Sequence, residues 1–107
     1  MVSDFVRGMA MMRKHDPQTQ EDGFGLVKRV AAEHADELVV AHSEEADPGL
    51  RNWLLELLVE AQSPEALPIF ARALELDATR HWGEAGLLKL NTKEARAVLW
   101  RHGQNQF

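Results

Sequence analysis

Apolar residues along this chain recur at helical spacing. Leu67, Phe70, Ala71 and Leu74 stand at i, i+3, i+4 and i+7, and Leu50, Leu54, Leu57, Leu58 and Ala61 repeat the pattern on the segment before them. Each set forms one stripe of an amphipathic helix. Strand signals are sparse: there is no Tyr, β-branched residues are few, and no Asn-Gly or Asp-Gly turn joins two alternating runs. The punctuation is helical too. Asp16-Pro17, Asp47-Pro48 and Ser63-Pro64 each place a capping residue ahead of proline at the first helical position. Asp77 and Asn91-Thr92 supply further starts. The pattern predicts an all-α protein with seven helices, over 3–14, 17–33, 35–45, 48–61, 64–75, 78–90 and 92–102, and a frayed tail at 104–107. The connections are short enough to make successive helices antiparallel neighbours.

Shifting the chain by 29 residues brings these segments into register. Val40 falls on Ile69 and Val98, and Ala41 on Phe70 and Leu99, while Met9, Met11 and Met12 hold the same columns one step earlier. On the second helix of each unit Arg51 meets Arg80, Leu58 meets Leu87, and Trp53 meets Trp82 with Phe24 before them. A fixed period of this length is the mark of a solenoid, whose helix pairs cannot bury their apolar stripes without a neighbour. The units are 3–33, 34–62, 63–91 and a half unit at 92–102.

The local motif, Asp-Pro-Gly-Leu-Arg at 47–51 and Asp-Ala-Thr-Arg at 77–80, resembles the HEAT repeat, in the short units of the phycobilisome-lyase type. The resemblance implies a right-handed α-solenoid of about three and a half helix pairs, its second helices lining a concave surface that binds another protein. Leu54 and Gly83 stand where such repeats commonly carry Ala, and the last second helix is missing.

Composition narrows the chemistry. With no cysteine in 107 residues, disulfide scaffolds, Cys-based zinc sites and thiol catalysis are excluded. The formal net charge of −5 weighs against nucleic-acid binding, which rests on phosphate neutralisation; Lys28, Arg29, Arg51, Arg80 and Lys89 are interleaved with acids. The first ten residues lack the apolar run of a signal peptide or membrane span, which predicts a cytoplasmic protein without a membrane partner. His15, His34, His42, His81 and His102 show no HExxH spacing, and no Walker, dinucleotide or G-x-S-x-G pattern occurs. The expectation is a non-catalytic protein with no metal and no cofactor.

The candidate partner-binding residues are Trp53, Trp82, Asn52, Glu56, Glu60, His81 and Glu84, all on second helices. Trp53 lies about 60° outside the apolar stripe of its helix. Two readings of the Trp53 and Trp82 row stand evenly: packing over a helix seam, and an aromatic anchor for a partner. Arg51 and Arg80, one turn after Asp47 and Asp77, read as structural pairs in the loops, and Glu44, Glu45 and Asp47 as a solvated acidic cluster. Gly83 and Gly86 each cost a helix about 1 kcal/mol, which predicts tight packing of helix 78–90 on 48–61 or on 92–102. Met9, Met11, Met12 and Trp100 make the terminal helices apolar, and self-association follows if those faces stay uncovered. The resulting expectation is an interaction module, an adaptor or regulatory binder. The alternatives are a toxin-neutralising immunity protein and a bilin lyase or its accessory subunit.

Overall fold

A computed structural model describes residues 2–105, and among them the chain is all-helical, without a strand. The helices are α1 (Asp4–Met12), α2 (Pro17–Val30), α3 (Ala35–Glu44), α4 (Pro48–Ala61), α5 (Leu67–Ala73), α6 (Arg80–Leu90) and α7 (Lys93–Asn105). Two short 3-10 turns, Ala31–His34 and Pro64–Ala66, lead into α3 and α5. No helix among the described residues is long and apolar enough to cross a membrane. The chain divides after Ala61 into two compact units.

Local chemistry explains most helix starts. The Asp16 carboxylate accepts from the Thr19 N–H at 2.9 Å, and Asp47 caps α4 by accepting from the Leu50 N–H at 2.9 Å. Ser63 accepts from the Glu65 N–H and Thr92 from the Ala95 N–H. Each satisfies a donor that a helix N-terminus leaves without an intrahelical partner. Asp77 behaves differently. It pairs with Arg80 at 2.9 Å, and α6 begins only at Arg80, with turns between. The Thr79 hydroxyl donates to the Ala73 carbonyl at 2.9 Å and Arg80 Nε donates to Leu74 at 3.0 Å. These residues close the end of α5, and the helix predicted from 78 therefore starts later. At the other end α7 continues through Asn105, beyond the span predicted to stop at 102. The rest of the expected tail, Gln106 and Phe107, lies outside the described residues.

In the first unit α1 packs along α2, α3 along α4, and α4 also meets α2 and the first 3-10 turn. With several of its faces covered, α4 buries Leu55 and Val59 in addition to Leu54, Leu57, Leu58 and Ala61 of the predicted stripe, whose first member, Leu50, is half-buried. Phe5, Met12, Val27, Ala31 and Leu38 complete this core. The α1–α2 crossing is close. A Cβ added to Gly8 would lie 2.8 Å from the Gly23 carbonyl, and one added to Gly23 would lie 2.6 Å from the Gly8 carbonyl.

In the second unit α5 packs on α6, and α6 on α7, around Ala66, Phe70, Ala73, Leu74, Leu87 and Ala95. Gly83 and Gly86 press against α5, not the helices expected: a Cβ on Gly83 would sit 2.7 Å from the Phe70 carbonyl, and one on Gly86 2.6 Å from the Phe70 ring. The buried Phe70 ring takes the space at Gly86, and the backbone of α5 takes the space at Gly83.

Among the described residues two outside glycine adopt positive φ: Gln62 at 54° after α4, and Asn91 at 49° after α6. They stand 29 residues apart, each just before a capping hydroxyl residue, Ser63 and Thr92. Asparagine tolerates the left-handed conformation better than glutamine does. Replacing Gln62 with glycine is therefore expected to stabilise the protein by about 0.5–1 kcal/mol in equilibrium unfolding; a loss of stability would show that the Gln62 side chain holds the turn.

Candidate functional site

The first unit carries the aromatic surface. Phe24 on α2 and Trp53 on α4 meet edge to face, with ring centroids 5.2 Å apart and planes at 61°, the arrangement favoured by the ring quadrupoles. Both rings are half-buried. Two hollows share Trp53 as a wall. The smaller, of about 210 Å³, is lined by Glu21, Phe24, Trp53 and Glu56. The larger, of about 440 Å³, extends over Met12 and Leu50 towards the loops, where Arg13, Lys14, His15, Glu45 and Asp47 line it.

The rim of the larger hollow is tied across two loops. Arg13 donates to the Glu45 carboxylate at 2.7 Å, and Glu45 also accepts from the Asp47 N–H at 3.1 Å. The Asp47 N–H and the Arg13 guanidinium hold the Glu45 carboxyl below its ordinary value. The Glu45 side chain is only 9% exposed, so it is a bridging group and not the solvated acid that its neighbours suggested. The Asp16 carboxyl is likewise lowered, by the Thr19 hydroxyl and N–H.

The predicted residues separate into two sets. Asn52, Trp53, Glu56 and Glu60 lie on α4 in the first unit: Asn52 is exposed, Glu56 and Glu60 half-buried. Glu56 joins Trp53 in the smaller hollow, whereas Asn52 and Glu60 do not line it. His81, Trp82 and Glu84 lie on α6 in the second unit. There the His81 ring tilts against Trp82 at 4.7 Å, with Trp82 half-buried and His81 and Glu84 exposed. Glu21 was outside the predicted set. Its signal was present, because it stands one turn before Phe24 just as Glu56 stands one turn after Trp53.

No cluster of three or more His, Cys, Asp or Glu side chains among the described residues is arranged to hold a metal ion. Comparison with known proteins finds no matching family model, no similar curated protein and no similar solved structure.

His42 on α3 also titrates away from its ordinary value. Burial, with the positive charge of Arg51 beside it, holds its imidazole below the ordinary 6.5. The folded protein therefore keeps His42 neutral where the unfolded chain already takes up a proton. Its contribution to stability is full above about pH 6.5 and is lost as pH falls through the lowered folded value. His42→Gln is expected to flatten the fall in unfolding free energy between about pH 7 and pH 5.5. An unchanged slope would mean that His42 titrates alike in both states.

Proposed function

We propose that the chain is a HEAT-like α-solenoid module that binds another protein through its second helices, with Trp53 and Trp82 as anchors, and that it performs no catalysis. The observation that carries the reading is Trp53 itself: a half-buried indole braced edge to face by Phe24, with hollows on two sides. Such a ring is held in place before a partner arrives, so little side-chain entropy remains to be lost on docking. Tryptophan in this setting is a favoured anchor, and its truncation costs a complex about 2 kcal/mol or more.

The repeat reading is supported by the 29-residue period of the sequence and by the backbone at Gln62-Ser63 and Asn91-Thr92, where a left-handed residue and a capping hydroxyl recur at that interval. In this reading Asn52, Glu56, Glu60, His81 and Glu84 orient the partner. The net charge of −5 favours a partner with a basic surface, as a toxin-neutralising version of the module would require.

Affinity capture from the source cells, with wild type compared against the Trp53→Ala, Trp82→Ala double variant, tests this. The double variant is expected to keep its helical circular dichroism and to lose the wild-type partner, with affinity reduced about 30-fold or more, the equivalent of 2 kcal/mol. A folded double variant that retains the same partner at the same affinity would remove the aromatic-anchor reading.

A further inference from the structure

The smaller hollow has a composition that the larger one lacks. Two helices each supply one aromatic ring and one carboxylate a single turn apart: Glu21 and Phe24 from α2, Trp53 and Glu56 from α4. Side chains three residues apart on a helix share a face, so both acids flank the rings. Among the described residues neither carboxylate is engaged by an ion pair or hydrogen bond, and no cation lines the hollow. The sequence period does not explain the acids. At the positions 29 residues from Glu21 and Glu56 stand Leu50, Val27 and Ala85, so the pair belongs to this one place and not to a repeated structural feature.

Aromatic faces and free carboxylates attract the same kind of group, an organic cation. Ring quadrupoles draw a cation to their faces, and a planar guanidinium adds stacking and a two-pronged hydrogen bond to a carboxylate. The hollow, of about 210 Å³, has room for the guanidinium end of an arginine side chain.

We propose that this hollow receives an arginine side chain from a basic segment of the partner protein, its guanidinium lying against Phe24 and Trp53 and bonded by Glu21 and Glu56. The proposal rests on the protein-binding reading above and names the chemistry of the group recognised. It agrees in sign with the acidic charge of the whole chain.

The probe is the capped tripeptide acetyl-Gly-Arg-Gly-amide, titrated into 15N-labelled protein. The readout is the Trp53 indole N–H resonance, assigned with Trp53→Phe. The arginine peptide should move this resonance saturably. The lysine peptide should bind several-fold more weakly, and the glutamine peptide should leave the resonance in place. The double variant Glu21→Gln, Glu56→Gln keeps the shape of the side chains and should weaken arginine binding at least tenfold. An unmoved Trp53 resonance, equal binding of the lysine or glutamine peptide, or unchanged affinity in the double variant would each overturn the proposal. This outcome is separable from that of the capture experiment. A partner lost with the two tryptophans, without arginine binding at Trp53, leaves the interaction module standing and removes the arginine site. Arginine binding at Trp53 with a partner indifferent to both tryptophans does the reverse.

Discussion

Close backbone approach between paired helices is the constraint on which the rest of the structure depends. In the first unit α1 and α2 cross where Gly8 and Gly23 face each other's carbonyls. In the second, α6 lays Gly83 on the backbone of α5 and Gly86 on the ring of Phe70. Each glycine gives up about 1 kcal/mol of helix propensity relative to alanine, and the return is contact between main chains without intervening side chains. That contact brings dispersion and burial over many atoms. The α3–α4 pair reaches the same end with Leu38, Leu54, Leu57 and Leu58, all fully buried, and has no glycine within either helix except Gly49 in the first turn of α4.

The aromatic surface follows from this packing. Fixing α1 on α2, and α2 on α4, places Phe24 against Trp53 and leaves the two hollows beside the indole. The Arg13–Glu45 tie then joins the loop after α1 to the loop after α3 at one edge of the larger hollow. What the site offers is therefore a rigid aromatic wall with acids on one side and a mixed-charge rim on the other.

Capping was the part of the fold most legible in the sequence. Asp16, Asp47, Ser63 and Thr92 act where their side-chain types predict, because an N-cap needs only the three or four residues that follow it. Interactions set by distant residues were hidden. Glu45 looked like one of three solvated acids, and its partner Arg13 lies 32 residues away. The glycines announced a close approach without saying to which helix, and α5 supplied the answer through Phe70. Equivalent positions of the period also differ in packing: Gly25 and Gly83 occupy the same position of the 29-residue period, yet a Cβ on Gly25 meets nothing within 4 Å. At the site, Trp53 and Glu56 were legible from their helix, whereas Glu21 was passed over because its role depends on which helix lies opposite.

That difference between equivalent glycines supplies the most direct test. Urea unfolding of Gly8→Ala, Gly23→Ala and Gly83→Ala should show each losing about 1–3 kcal/mol, since the added methyl has backbone where it needs space. Gly25→Ala, in the same helix as Gly23, should gain up to about 1 kcal/mol from helix propensity alone. If all four substitutions stabilised the protein alike, main-chain contact between the helix pairs would not be what holds them together.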